Sequence, residues 1–297
     1  MNAHDLAKRI QATPPPLLIH VLPEFHFRAR RIEGSRNVCV YEVAFVDRVR
    51  ELVPDTSTPI VVYGEGSPSL DSDEALRRLR DAGYTKVDDF RGGLTAWIDA
   101  GYRVASDAQL PAPLELQGRY RLNTATSVIR WIGSNRSNHH CGHVKFSDGE
   151  WAAEHGMILN AQFNADMKSI VCEDLTDAGM NAMLIRHLFT ADFFDVKRYP
   201  TASFTITRID ALPGVTDGLS THRVTGKMTV RGIEREISFP AVFAITDKDN
   251  VTLQAQIEID RTWWGSRYGS ARFFASLGQH LVNDHILLYV KLHACRT

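Results

Sequence analysis

Cysteine is scarce in this chain, and no basic cluster breaks its charge balance. The 297 residues hold four cysteines (Cys39, Cys141, Cys172 and Cys295), too scattered for a paired metal-binding motif. Lysine and arginine number 34 against 35 acidic residues, a net charge of -1, which gives no electrostatic case for nucleic acid. The nearest thing to a basic run, Arg28 to Arg31, reads as a solvated face. No stretch approaches the roughly 18 apolar residues of a membrane span. The N-terminal Met1 to Lys8 lacks the apolar centre of a secretory signal. With dispersed thiols, these absences make a reduced, cytoplasmic protein the expectation. Internal repeats and low-complexity segments are also lacking.

What is present suffices for two cores, since 44% of the residues are apolar. Residues 17 to 105 alternate short strands with helices, the pattern of an α/β domain with a parallel sheet. Leu17 to Val21 and Pro59 to Tyr63 are continuous apolar runs, as strands covered on both faces require. A helix is expected between Glu42 and Val53. Another starts at Asp71, where Asp71-Ser72-Asp73-Glu74 has capping-box form, and stops at Gly83. Residues 106–116 include Pro111 and Pro113 and read as a semi-stiff linker between domains spanning 1–105 and 117–297.

In the second half the period changes. Val251, Leu253, Ala255, Ile257 and Ile259 alternate with polar residues, and Ile286, Leu288, Val290 and Leu292 do likewise. Strands with one apolar face must close around a common interior, so an antiparallel β-barrel is expected, with hairpin turns at Asp148-Gly149 and Arg231-Gly232. One short helix interrupts it, with Met180, Met183, Leu184, His187 and Leu188 at helical spacing, followed by an aromatic loop ending at Pro200. His140 and His187 are expected to face the interior, either as satisfied core imidazoles or as polar contacts to a ligand. Phe146, Phe204, Met228, Ala255 and Ile257 are candidate ligand-binding residues on the walls. Phe193, Phe194, Trp263 and Tyr268 are candidates around an aromatic lid. His139, Cys141 and His143 share the opposite face of their strand from His140; no second cluster completes a site, and no metal is expected. Asp260-Arg261 reads as an ion pair or barrel-end anchor.

Three segments carry a family resemblance: His187 to Ile206, Val224 to Gly232, and Ile259 to Gly265. They resemble the YceI-like family of lipocalin-type lipid-binding proteins over residues 117 to 297. The resemblance implies an isoprenoid, quinone or other long apolar molecule as ligand, rather than catalysis. It also implies a secreted or periplasmic placement, from which the cytoplasmic expectation departs. In the first half, Ile32 to Asn37, Val62 to Leu79 and Phe90 to Trp97 resemble a rhodanese-like domain. That resemblance puts the catalytic cysteine directly after Val61-Val62-Tyr63, where this chain has Gly64. His20 and Leu22 likewise stand where the resemblance implies Asp and Arg. The loop Gly64-Glu65-Gly66-Ser67-Pro68-Ser69 is therefore a degenerate active site with no catalytic residue, flanked by carboxylates that repel an anionic substrate. It reads as a docking or regulatory surface for a protein partner, or as plain scaffold. Two alternatives stay open: a sulfurtransferase or thiol-redox enzyme using Cys39 or Cys141, and a scaffold whose barrel is fully packed.

Overall fold

The computed structural model describes residues 1–110, 114–216 and 218–297, so Pro111 and Pro113 of the expected linker lie outside the described residues. The chain forms two compact units, Met1–Ala112 and Pro113–Thr297. No helix among the described residues is long and apolar enough to cross a membrane.

The first unit contains α1 (Ala3–Ile10), β1 (Leu17–His20), α2 (Glu24–Ala29), β2 (Arg36–Asn37), α3 (Phe45–Leu52), β3 (Ile60–Tyr63), α4 (Asp71–Asp81), β4 (Val87–Asp89) and α5 (Gly93–Asp99). Its parallel sheet has the order β2-β1-β3-β4. Successive side chains of a strand point to opposite faces, so the apolar run of β3 feeds two cores. Ile60 and Val62 pack with Phe45 and Val49 of α3 and Ala75 and Leu79 of α4. Val61 and Tyr63 pack with Leu6 of α1 and Leu94 and Trp97 of α5. The capping box expected at Asp71 is not formed. Leu70 caps α4 without a side-chain bond, and the Asp71 carboxylate turns back into the preceding loop.

The second unit contains β5 (Gly118–Leu122), β6 (Val128–Ser134), β7 (His139–Glu154), β8 (Met157–Cys172), α6 (Ala178–Phe189), β9 (Thr201–Ala211), β10 (His222–Val230), β11 (Ile233–Ile245), β12 (Asn250–Asp260) and β13 (His285–Arg296). Antiparallel pairing runs from β7 through β12, and β12 pairs with β13 to close the ring. Both β5 and β6 lie between β13 and β7, so they share one of eight positions around the barrel. Alternation on β12 buries Val251, Leu253, Ala255 and Ile257, as its sequence pattern requires.

Of the two expected hairpin turns, Arg231-Gly232 joins β10 to β11, both residues having positive φ. Asp148-Gly149 instead lies inside β7. The register shifts between Phe146 and Asp148, and the missing Cβ of Gly149 leaves room for the Phe163 ring at 2.7 Å. The turn falls at His155-Gly156, also with positive φ.

His20 ends β1 fully buried, with neither ring nitrogen hydrogen-bonded among the described residues. The rings of Tyr63 and Phe27 meet it edge-on at 5.1 and 5.6 Å. Burial, helped by the charges of His26 and Arg31, lowers its pKa from 6.5 to about 4. Between these values the unfolded chain binds the proton and the native one does not, so stability rises with pH across that window. Lowering the pH from above 6.5 to 4 should cost the first unit up to about 3 kcal/mol through this residue alone. Urea denaturation at pH 7.5 and 4.5 should show a smaller acid loss in His20→Leu than in the wild type. Equal losses in the two proteins would count against this account.

Candidate functional site

The upper part of the barrel is hollow. A cavity of about 260 Å³ lies between the sheet and α6, and a void of about 80 Å³ lies below it, sharing Phe146, Phe163, Phe204 and Met228 as walls. The end beyond is filled by Tyr120, Leu122, Trp151, Val251, Ala294 and their neighbours. The upper cavity exceeds the roughly 150 Å³ that holds a benzene in an engineered apolar site, so it can take a hydrocarbon chain.

Several sequence-derived candidates converge on this space. His140, Phe146, Phe193, Phe194, Phe204 and Met228 line the upper cavity, and Ile257 lines the void beneath. Four others do not reach it. Ala255 lines neither space: it is buried in the core cluster between Leu253 and Ile257, which both line the lower void. Trp263 is 51% exposed, whereas Trp264 is buried, lines the cavity and donates from Nε1 to the Met228 carbonyl at 3.1 Å. The 3-10 turn Arg261–Trp264 breaks the strand alternation there, so a period-2 pattern could not choose between the two tryptophans. His187 and Tyr268 pack behind the lid: the two rings lie 4.5 Å apart, both touch Phe193, and His187 Nε2 lies 3.1 Å from the Asp192 carboxylate. On α6, Leu184 and Leu188 face the cavity, whereas Met180 and Met183 are more than half exposed.

Walls missed by sequence reasoning include parts of β6, β8 and β9. Ala165, Met167 and Ala202 line the cavity, and their signal was present, since Ala161, Phe163, Ala165 and Met167 alternate with Gln162, Asn164, Asp166 and Lys168. Two buried polar atoms belong to residues of this wall without being exposed to the cavity: Trp131 Nε1 and Ser266 Oγ have no hydrogen-bond partner among the described residues. Arg261 shares that wall, but its guanidinium is committed to main-chain carbonyls: Asn283 at 2.9 Å, Ser266 and Tyr268 at 2.7 Å, and Val282 at 3.0 Å. The barrel-end anchor is thus present, but Asp260 and Arg261 do not pair with each other. Asp260 bonds Arg272 at 2.8 Å and the Thr262 amide and hydroxyl, while Arg261 lies 3.7 Å from Asp284.

Beside the mouth, the His139-Cys141-His143 trio is dispersed. His139 lines the rim, and His143 Nδ1 is 2.7 Å from Glu173. His140 Nδ1 lies 2.9 Å from Asp174, which also accepts from the Cys141 amide at 2.7 Å and the Cys172 thiol at 3.3 Å. Burial opposes ionisation of Asp174, but these donors outweigh it and hold the carboxyl well below the usual range. Burial, with the Asp174 charge, pushes the Cys141 thiol up, the reverse of an activated nucleophile. Cys39 is buried.

The loop after β3 is blocked chemically as well as by sequence. Main-chain N–H groups at such a loop suit an anion. Here the anion is internal: the Asp71 carboxylate accepts from the Ser72 amide at 2.6 Å, the Ser69 hydroxyl at 2.8 Å and the Glu65 amide at 3.4 Å. A Cβ on Gly64 would overlap that carboxyl group. The loop carbonyls are also occupied, accepting from Leu94 and Thr95 of α5.

Residues 120–294 match the family pattern described as the YceI-like domain, and residues 2–100 match that of the rhodanese-like domain. A UPF0312 protein of Pseudomonas putida is 38% identical over 64 residues, 22% of this chain and 31% of that protein. An adenylyltransferase and sulfurtransferase of Zea mays is 32% identical over 90 residues, 28% of this chain and 18% of that protein. The matched segments therefore span less than a third of these curated relatives. Among solved structures, Burkholderia cenocepacia BcnA aligns with a TM-score of 0.44 at 22% identity, over 58% of this chain and 98% of that one. A polyisoprenoid binding domain from Saccharophagus degradans aligns with a TM-score of 0.42 at 13% identity, over 60% and 98%.

The Asp71 arrangement sets an expected outcome for the first unit. The wild-type chain should show no thiosulfate:cyanide turnover above a protein-free control. Gly64→Cys alone should not introduce it, and should lower the urea midpoint, because the new side chain meets a buried carboxylate. Turnover by the single variant at wild-type stability would show that Asp71 yields.

Proposed function

The chain belongs to the YceI-like family, and from that premise we propose that its barrel binds a long apolar molecule, of the isoprenoid or quinone class, in the cavity beneath α6. The observation that carries this reading is an apolar cavity of about 260 Å³ walled by Phe146, Phe163, Met167, Phe204 and Met228. The chain of such a ligand gains about 0.8 kcal/mol per buried CH₂, so ten carbons supply about 8 kcal/mol gross, before association costs are subtracted. This favours a ligand with an extended apolar tail.

The rhodanese-like unit, on this proposal, is a non-catalytic docking or regulatory module for a protein partner. Support comes from Gly64 in the nucleophile position and from Asp71 filling the anion cradle.

Narrowing the cavity tests the barrel reading. Ala202 lines it opposite Ala165 across the β8–β9 pair. In Ala202→Trp, binding of a decyl-chain benzoquinone, followed by tryptophan fluorescence, should be lost while the melting temperature stays within a few degrees of wild type. Ala255→Trp, in the buried core between Leu253 and Ile257, should instead cost about 1–3 kcal/mol. No quinone binding by the wild type, with both variants equally destabilised, would reduce the barrel to scaffold.

A further inference from the structure

The end of β8 carries a donor set that the apolar cavity does not explain. The ligand-capable atoms of His140, Cys172 and Asp174 all lie within 4.8 Å of one another. We propose that these three side chains bind a divalent transition metal, with zinc the ion that suits them best.

The argument is geometric and chemical. A tetrahedral zinc with about 2.3 Å to sulfur and about 2.0 Å to nitrogen or oxygen holds its ligand atoms roughly 3.3–3.5 Å apart. Cys172 Sγ lies 3.3 Å from one Asp174 oxygen, and His140 Nδ1 lies 2.9 Å from the other, so small side-chain rotations bring the set onto one ion. Nitrogen, sulfur and oxygen donors together favour a borderline ion such as zinc over calcium or magnesium, which take mainly oxygen ligands. One thiolate, one carboxylate and one neutral imidazole balance the charge of a dication. Binding releases the Cys172 thiol proton to solvent and leaves the imidazole neutral, so affinity rises with pH.

The neighbouring groups do not compete for the ion. Glu173 is held by His143 at 2.7 Å and Arg130 at 2.9 Å. Three protein ligands leave a fourth position for water or an incoming group. His140 also lines the large cavity, so the ion stands at its rim.

The test uses the full chain stripped of metal with a chelator and titrated with Zn²⁺ against a chromophoric competitor, then with Co²⁺ as a spectroscopic probe. One equivalent of Zn²⁺ should bind, and Co²⁺ should give a thiolate-to-metal charge-transfer band. Cys172→Ser should remove the band, and Cys172→Ser and Asp174→Asn should each weaken Zn²⁺ binding by at least about 100-fold, more than outer-shell losses produce. Cys141→Ser and His143→Ala should bind as the wild type does. Circular dichroism of each variant separates lost ligation from lost folding, and the two independent ligand variants guard against one failing to fold. No stoichiometric binding by the wild type would overturn the proposal. So would a charge-transfer band that survives Cys172→Ser but disappears in Cys141→Ser or His143→Ala. Either result leaves apolar binding in the cavity unaffected, because the quinone measurement needs no metal.

Discussion

The open end of the barrel depends on one cation. Arg261 follows the last residue of β12 with its side chain 2% exposed, and its guanidinium satisfies four main-chain carbonyls between Ser266 and Asn283. Irregular backbone at a barrel mouth carries carbonyls that no strand partner satisfies, and a planar fork of five N–H donors suits several of them at once. Lysine, with its compact ammonium, could not span the same set. The cost of burying the charge is offset by these bonds and by the carboxylate of Asp284 at 3.7 Å. The same guanidinium lies 5.7 Å from the Phe193 ring centre, linking the connection between β12 and β13 to the segment after α6.

That anchoring lets the interior remain partly empty. Apolar alternation on the strands fills the far end with large rings, including Tyr120 and Trp151 stacked at 5.5 Å. Small residues at Ala165 and Ala202 leave space nearer the mouth. A void forfeits dispersion contacts, so a partly empty barrel is less stable than a filled one unless a ligand restores them. Apolar walls are what a hydrocarbon chain would complete.

Much of this architecture was legible in the chain. Continuous apolar runs marked β1 and β3, and strict alternation marked β12 and β13, because burial on one face or two leaves different periods in sequence. Legibility failed where local chemistry has more than one outcome. Asp148-Gly149 has turn composition, yet the glycine serves a close approach by Phe163 inside a strand. Asp71 has the composition of a cap, yet its carboxylate serves the loop behind it. In the site, aromatic and apolar residues near the lid were legible as a group. Which of Trp263 and Trp264 points inward was not, since a 3-10 turn decides it. The meeting of His140 with Cys172 and Asp174 is a matter of strand register between β7 and β8, which periodicity within either strand does not encode.

The Asp71 carboxylate has a consequence for how sequences can change. A loop holding Gly64 with Asp71 and a loop holding a thiol with a small neighbour are each self-consistent, but two substitutions separate them. A side chain added at 64 first meets a buried carboxylate, and Asp71 removed first leaves the Ser72 amide and Ser69 hydroxyl without their acceptor. Each single change therefore disturbs contacts made by the other position, so substitutions at 64 and 71 should be non-additive in stability.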